Sequence, residues 1–153
     1  QYLNAGTDVV FIVEGDPLLY STFQHLLSEI PQEVPVEVCP GISAMFSASA
    51  AACFPLAIED QMVIVAPAET ALSDIREWLC KGYGVVLFKV THWLEAIAAE
   101  INKLPFQCDT VLIERASLDG EVIVQDIAQW NDRDVPYFSI VLLRRRIHRS
   151  EDK

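Results

Sequence analysis

Two short turns carry the residues of this sequence that are best suited to hold a ligand. The first, at residues 14–17, follows an apolar run, and the second, at 40–43, follows another. Gly15 allows a close approach to the backbone, and Asp16 and Ser43 can cap the helices that would follow. Two such turns at the carboxyl edge of one sheet form a crevice, where open α/β sheets bind ligands. Each turn alone is also ordinary α/β construction, so only the combination favours a binding site.

The elements that would position these turns follow from hydrophobic patterning and turn signals. The first half predicts strands at 9–14 and 35–39 and helices at 17–30 and 43–53, with Asp16 as the cap and Pro17 as the first helical residue. After residue 60 the alternation of strands and helices resumes, with strands predicted at 62–66, 84–90 and 109–114 and helices at 70–80 and 92–103. The end predicts a turn at Asp119-Gly120, a short strand at 122–124, a helical turn at 126–130 and a long strand at 137–143. This order indicates a mixed sheet, parallel first and antiparallel at its finish.

Length, composition and charge exclude some classes of protein. The chain has 153 residues, 52% of them hydrophobic, and a formal net charge of −11. This length fits one domain or parts of two, and no apolar run reaches the roughly 18 residues of a membrane span. The negative charge argues against nucleic acid as a partner. Four arginines, Arg144, Arg145, Arg146 and Arg149, crowd the end, either as a solvated segment or as a local site for an anionic ligand.

The cysteine and histidine pattern does not favour a metal site. The four cysteines, Cys39, Cys53, Cys80 and Cys108, show no metal-ligand spacing, and three lie in or beside apolar stretches. We expect them to be free, small buried residues in a reducing compartment. The three histidines are scattered along the chain. No catalytic Ser–His–Asp or Cys–His arrangement is evident.

Two predicted helices differ in what they can pack. The helix at 43–53 is nearly all small residues, which suits close approach of a flat ligand or tight packing on a sheet. Both alternatives stay open at this point. In the helix at 92–103, Leu94, Ile97, Ala98 and Ile101 recur at helical spacing and should face the core.

Several segments, in order along nearly the whole chain, resemble the tetrapyrrole (precorrin and corrin) methylases. The resemblance rests on residues 15–23, 36–43, 54–57, 86–90 and 113–116, and on 137–140 leading into Arg144-Arg145. The run Gly-Asp-Pro-Leu-Leu-Tyr-Ser-Thr is typical of the branch that methylates C20 of precorrin-2. The family's first strand and glycine-rich loop have no counterpart in this chain. The resemblance therefore implies a two-domain α/β architecture with a partial first domain (1–57), a complete second domain with a mixed sheet (58–147) and a disordered tail (148–153).

The resemblance also implies the chemistry, which is methyl transfer from S-adenosylmethionine to C20 of precorrin-2 or cobalt-precorrin-2 in cobalamin biosynthesis. The donor is already activated, so the protein mainly aligns donor and acceptor. The donor-binding residues implied by the family are Glu14, Gly15, Asp16, Leu19, Ser43, Ala44, Lys89 and Ala116. Tyr20 is the candidate catalytic residue on the acceptor side, although it could equally be an aromatic plug. Lys89 and Arg115 are candidates to offset the carboxylates of the tetrapyrrole.

Other readings of the sequence stay open. The chain could fold without catalysing, or it could belong to another branch of the superfamily, such as one that methylates ribosomal RNA or diphthine. A generic α/β binding module is a further alternative. The family also implies a homodimer, and unpaired edges in a partial first sheet would promote pairing. The cysteine pattern favours the cytoplasm as the reducing compartment.

Overall fold

The computed structural model describes residues 2–130 and 133–146 and divides into two compact units, residues 1–44 and 45–153. The first unit contains a short 3₁₀ turn, Leu3–Ala5, and helix α1, Phe23–Glu29. Helix α2, Ala44–Ala51, begins at the boundary of the two units. The remaining elements are β1 (Val63–Pro67), α3 (Ala68–Ala71), α4 (Ile75–Cys80), β2 (Gly84–Phe88), α5 (Leu94–Asn102), β3 (Cys108–Glu114), β4 (Val122–Val124), a 3₁₀ turn (Ile127–Gln129) and β5 (Ser139–Arg145).

A five-stranded sheet with the order β1-β2-β5-β3-β4 forms the centre of the second unit. Strand β1 runs parallel to β2, whereas β5 lies antiparallel between β2 and β3, and β4 is antiparallel to β3. The predicted mixed sheet with an antiparallel finish is confirmed. Because β5 is antiparallel to both neighbours, the carboxyl ends of β2 and β3 lie at the edge of the sheet where β5 begins.

The alternation of side chains along the strands produces two cores, one on each face of the sheet. Val85, Leu87 and Leu143 face α3, α4 and α5, and Leu94 and Ile97 of α5 are buried against them, as the sequence predicts. On the other face, the residues packed with the sheet are Ala48, Ala52 and Phe54, together with Val86, Val111, Ile113, Ile140 and Leu142.

Helix α2 therefore packs tightly on the sheet, which decides between the two alternatives for its small residues. Ala48 is fully buried and Ala52 nearly so against the second face of the sheet. A helix of alanines and serines places its backbone close to the strands because no long side chain separates them. The single helix predicted at 70–80 is instead two short helices, α3 and α4, separated by a turn at 72–74.

The first unit departs most from the sequence prediction. The predicted strands at 9–14 and 35–39 are wrong, since neither segment forms a hydrogen-bonded strand in the part of the chain that the structure describes. Val10 is 81% and Ile12 87% exposed. Apolar β-branched sequence favours a strand only when a neighbouring strand supplies the ladder, and the described residues 2–44 contain none.

The predicted helix at 17–30 is shorter than expected and begins at Phe23. Asp16 does not cap it, because its carboxylate accepts the N–H of Leu18 in a local turn. Tyr20 adopts a left-handed backbone with φ 54°, and such a residue interrupts a right-handed helix. The chain reaches helical geometry only after this turn.

The division into units differs from the sequence boundary between residues 57 and 58. Residues 48–54 pack in the second unit, whereas the sequence assigns them to the first domain. The domain boundary stays a prediction about the family fold. The predicted tail at 148–153 lies outside the described residues.

Three of the four cysteines are not buried as expected. All four are free, but Cys39, Cys53 and Cys80 are exposed, and Cys108 is half-buried. An apolar neighbourhood in sequence did not translate into burial, because Cys80 ends α4 and Cys53 lies in a left-handed turn with φ 49°. Among the described residues, helices are too short or too polar to traverse a lipid bilayer.

Candidate functional site

A hydrogen-bonded junction joins the two predicted turns of the first unit. Asp16 Oδ1 accepts the N–H of Leu18 at 2.9 Å, and Asp16 Oδ2 accepts the N–H of Gly41 at 3.1 Å. One carboxylate thus connects backbone groups that lie far apart in sequence. Hydrogen bonds to a charged acceptor are stronger than neutral ones, so Asp16 is well suited to hold the two turns together.

The two glycines of this junction have different reasons: close backbone approach requires Gly41, and a positive φ favours glycine at position 15. A Cβ on Gly41 would lie 2.0 Å from the carbonyl oxygen of Gly15, so no larger residue fits. Gly15 has a φ of 77°, and its Cβ position lies 3.7 Å from Ile42 O and 3.9 Å from Ala44 N. The structure therefore brings together Gly15, Asp16 and Ala44 of the predicted donor set. We name these two joined turns, residues 14–17 and 40–44, the turn junction.

The other predicted residues of the first unit differ in exposure. Glu14 is exposed, Leu19 is half-buried and Ser43 is 6% exposed. The amide of Leu19 donates to Asp16 O at 3.4 Å, which places it in the same turn. The exposed parts of the junction are backbone, the apolar side chains of Pro40, Ile42 and Ala44, and the carboxylate of Glu14. None of these is a strong nucleophile that would attack a bound electrophile.

Tyr20 lies in the turn just after the junction. Its side chain is 39% exposed, and partial burial raises the pKa of its phenol above the ordinary value of 10.0. The phenol therefore stays protonated near neutral pH and can donate a hydrogen bond, but it is unsuited to act as a general base. Left-handed backbone at a bulky residue is uncommon and occurs preferentially at functional positions.

In the second unit, two basic residues follow the strands that flank β5. Lys89 comes after β2 with φ 56°, and Arg115 comes after β3 with φ 51°. Phe88 pairs with Ile140, and Glu114 pairs with Ser139, so both basic residues lie at the edge where β5 begins. Two non-glycine residues in the left-handed region at the same sheet edge, one on each side of β5, favour a functional role.

The predicted donor residue Ala116 is half-buried and packs against the core on the second face of the sheet. It follows Arg115 directly, so it lies at the same edge of the sheet as Lys89. The second unit thus brings two of its predicted site residues, Lys89 and Ala116, to the carboxyl ends of β2 and β3, which run in the same direction on either side of β5.

A buried ion pair at this edge was missed by sequence reasoning. Glu114 is 4% exposed, and its carboxylate is held by both Nη atoms of Arg133, with Arg133 Nη1 donating to Glu114 Oε2 at 3.1 Å. The hydrogen bond from Arg133 raises the pKa of the arginine. The signal in the sequence was a carboxylate at the end of an apolar strand, where an unpaired charge is costly. Because both carboxylate oxygens are paired, Glu114 is not available as a base.

The arginines near the end of the chain lie at the opposite edge of the sheet. Arg144 Nε lies 3.3 Å and Arg146 Nε 2.6 Å from the carboxylate of Asp109, and the guanidinium of Arg144 stacks on Phe54 at 4.7 Å. Strand β5 spans about 20 Å at roughly 3.3 Å per residue, which separates them from Lys89 and Arg115. These contacts favour a structural role over an anion site. Arg149 lies outside the described residues.

A shallow cavity of about 450 Å³ lies at the amino ends of the parallel strands. Its lining consists of residues 58–62 and 81–83. None of the predicted site residues belongs to this lining. Each unit therefore carries its own candidate surface, the turn junction in the first unit and the carboxyl edge of the sheet in the second.

The sequence profile of one family, described as Tetrapyrrole (Corrin/Porphyrin) Methylases, matches residues 1–129. A precorrin-2 C(20)-methyltransferase of Sinorhizobium sp. is 32% identical over 142 residues, covering 93% of this chain and 58% of the relative. A cobalt-precorrin-2 C(20)-methyltransferase of Salmonella typhimurium is 31% identical over 145 residues, covering 94% of this chain and 61% of the relative. The chain thus spans about three fifths of the length of these curated relatives.

Solved structures show the same fold. A cobalt-precorrin-4 methyltransferase superimposes with a TM-score of 0.77 at 24% identity, covering 93% of this chain and 66% of that one. A uroporphyrin-III C-methyltransferase of Thermus thermophilus, solved in complex with S-adenosylhomocysteine, superimposes with a TM-score of 0.58 at 20% identity, covering 85% and 62%. The predicted α/β fold class is confirmed.

Proposed function

Since this chain belongs to the tetrapyrrole (corrin/porphyrin) methylases, we propose that it serves S-adenosylmethionine-dependent methyl transfer to C20 of precorrin-2 or cobalt-precorrin-2 in cobalamin biosynthesis. The single observation that carries the choice of C20 is the identity of about 30% to two C20-methyltransferases over nearly the whole chain. The segment 15–23, with its run typical of the C20 branch, supports it.

The turn junction is the proposed donor-binding element. A sulfonium donor requires neighbours that do not attack it, and the junction offers peptide groups, the apolar side chains of Ile42 and Ala44 and the carboxylate of Glu14. Asp16 already accepts two backbone N–H groups, so we assign it to positioning the turns and leave Glu14 to favour the cationic or ribose part of the donor. The proposed donor contacts are Glu14, Gly15, Leu19, Ser43 and Ala44, with Asp16 behind them. Lys89 and Ala116 are proposed as further donor contacts on the ground of the family resemblance.

The chemistry asks the protein chiefly for alignment. S-adenosylmethionine supplies an activated methyl group, and a nucleophilic carbon of the tetrapyrrole accepts it. Holding reactants in the reactive geometry can contribute on the order of 7–11 kcal/mol in favourable cases. This fits a candidate site without a paired nucleophile and base.

Tyr20 is the proposed catalytic residue on the acceptor side. Its phenol is protonated near neutral pH, so its role would be to donate a hydrogen bond to the tetrapyrrole rather than to remove a proton. A Tyr20→Phe variant should lower the rate of methyl transfer and leave donor affinity unchanged. If the variant lost donor affinity by the same factor as it lost rate, Tyr20 would instead be a residue that maintains the conformation of the turn.

The proposal includes a homodimer in the cytoplasm, where the other enzymes and substrates of such a pathway would be available. The exposed apolar side chains of 9–12 support self-association, because unpaired apolar surface favours a partner. Sedimentation at several protein concentrations tests this part. A monomer at the highest concentration would refute it.

The test of donor binding is calorimetric titration of this chain with S-adenosylhomocysteine. We expect a one-to-one complex that a Gly15→Ala variant weakens, because Gly15 lies within the junction and its φ of 77° strains an alanine backbone. The matched control is Gly6→Ala, which has a similar φ of 71° but no atom within 4 Å of its Cβ position. No heat at millimolar ligand would refute donor binding by this chain.

A second candidate is a chain that folds but does not catalyse by itself. The observation that favours it is the lack of any ladder partner for 9–14 among the described residues, although this segment leads directly into the turn junction. A chain that binds neither donor nor tetrapyrrole, yet unfolds cooperatively, would support this alternative.

A further inference from the structure

Two neighbouring aromatic side chains stand in solvent where β5 begins. Tyr137 is 67% and Phe138 52% exposed, and their ring centroids lie 5.4 Å apart at an interplanar angle of 74°. Exposure of two adjacent aromatic rings leaves a large apolar area in water. Sequence analysis placed both residues at the start of a predicted strand and in one of the segments that carry the family resemblance, but it gave the pair no role in the site described above.

Three hydrogen bonds hold the backbone that carries the pair. Pro136 O accepts the hydroxyl of Ser139 at 2.7 Å and the hydroxyl of Thr91 at 3.3 Å, and Phe138 O accepts the N–H of Arg115 at 2.7 Å. These bonds tie the aromatic turn to the segments that follow β2 and β3. The two rings are therefore presented by ordered backbone, and their exposure is a property of the fold.

The charge beside the pair is positive, although the chain as a whole is strongly negative. Arg115 is exposed, and no carboxylate lies within ion-pair distance of it among residues 2–130 and 133–146. Two acidic groups close to Arg115 in sequence already have partners: Glu121 accepts the N–H of Ser117 at 2.6 Å, and Glu114 is held by Arg133. A negatively charged ligand would meet one unopposed guanidinium here.

We propose that Tyr137, Phe138 and Arg115 form a tetrapyrrole-binding surface, which we call the aromatic edge. One ring would lie flat on the apolar face of the macrocycle and the other would meet it edge-on, as their 74° interplanar angle requires, and Arg115 would pair with one of its peripheral carboxylates. This inference rests on the proposed function for its ligand class. Complementarity of charge and shape supports the assignment, because a large ring system with carboxylates on its rim matches two exposed rings beside an arginine.

The test is an absorbance titration of the chain with uroporphyrin III, a stable tetrapyrrole polycarboxylate, beside calorimetric titration with S-adenosylhomocysteine. The double variant Tyr137→Ala/Phe138→Ala should lose about tenfold or more in porphyrin affinity, because the contacts of both aromatic rings with the porphyrin are removed. Its affinity for S-adenosylhomocysteine should not change. The exchange variant Tyr137→Phe/Phe138→Tyr keeps both rings and should bind like the wild type.

Further variants separate stacking from charge and from general loss of surface. Tyr2→Ala removes another exposed aromatic residue, 71% exposed, and should leave porphyrin affinity unchanged. Arg115→Gln should weaken porphyrin binding and flatten its dependence on salt, because screening acts on the lost ion pair. Circular dichroism and thermal unfolding confirm that each variant is folded.

The outcomes distinguish this inference from the proposed function. Unchanged porphyrin affinity in the folded double alanine variant, with donor binding intact, overturns the aromatic edge and leaves the methylase proposal standing. A shift from dimer to monomer without loss of porphyrin affinity also overturns it and assigns the pair to a contact between copies. If the wild type binds neither porphyrin nor S-adenosylhomocysteine, the proposed function of this chain fails, and the inference fails with it.

Discussion

Replacement of Gly41 by alanine should disrupt the turn junction without touching the sheet of the second unit. A Cβ at this position would lie 2.0 Å from Gly15 O and 2.9 Å from Gly15 C, both of which are backbone atoms. Side-chain rotation cannot relieve such a contact. To restore even a 3.0 Å separation, the two turns must move apart by about 1 Å, which is beyond what close packing absorbs.

This displacement should break the bond between Gly41 N and Asp16 Oδ2, which is 3.1 Å long. Misplacement of about 1 Å can reduce the effectiveness of a binding or catalytic arrangement by about a hundredfold. We therefore expect the affinity of Gly41→Ala for S-adenosylhomocysteine to fall by about ten- to a hundredfold. The midpoint of thermal unfolding of the second unit should stay within about 2 °C of the wild type, since no sheet residue is altered.

Two measurements check the prediction. Calorimetry gives the affinity, and hydrogen exchange by NMR reports on the amide of Leu18, whose bond to Asp16 Oδ1 measures the order of the junction independently of any ligand. The control Gly6→Ala lies in the same unit, with open space around its Cβ position, and should preserve both readouts. The reasoning would be refuted if Gly41→Ala bound the donor analogue within twofold of wild type and kept the exchange rate of Leu18.

Three other predictions concern the second unit. Gly84→Ala should lower the free energy of unfolding by about 2–3 kcal/mol in thermal denaturation, because its Cβ would lie 2.3 Å from Leu56 O. Cys108 should resist a disulfide reagent at pH 8, because burial raises the pKa of its thiol to about 12 and leaves about one thiol in ten thousand ionised. The reactivity of Cys108 should rise as the pH approaches that pKa and the thiolate fraction grows. Arg133→Ala should cost about 1–2 kcal/mol in urea denaturation, since it leaves Glu114 charged and buried, with a discount because the side chain of Arg133 is 41% exposed.

Each of these has a matched control. Gly82→Ala tests a glycine with a φ of 81° and open space, so it should cost less than Gly84→Ala. The exposed cysteines should react rapidly in the native protein, and Cys108 only after denaturant is added; rapid native labelling of all four would contradict the burial argument. The double variant Arg133→Ala/Glu114→Gln should be more stable than Arg133→Ala alone, because the unpaired charge is gone. Equal stability would contradict the assigned cost.

Local patterning predicted most of the second unit. Strand β2 begins at Gly84 as expected, and β4 and the apolar face of α5 agree with the sequence. These elements depend on near neighbours in the chain, such as helical spacing and turn residues. The sequence predicted close backbone approach at Gly15 and only a turn at Gly41, whereas the structure shows the closest approach at Gly41.

The sequence by itself thus determined the family, the alternation of strands and helices after residue 60 and the chemical character of the two turns. Only tertiary structure decided which groups meet. Antiparallel placement of β5 puts Arg144 and Arg146 at one edge of the sheet and Tyr137, Phe138 and Arg115 at the other. Asp16 proved to be a junction between turns rather than a helix cap. The segment at 9–14 has the composition of a strand but does not form one. A strand requires a hydrogen-bonded neighbouring strand, and local sequence cannot supply that neighbour.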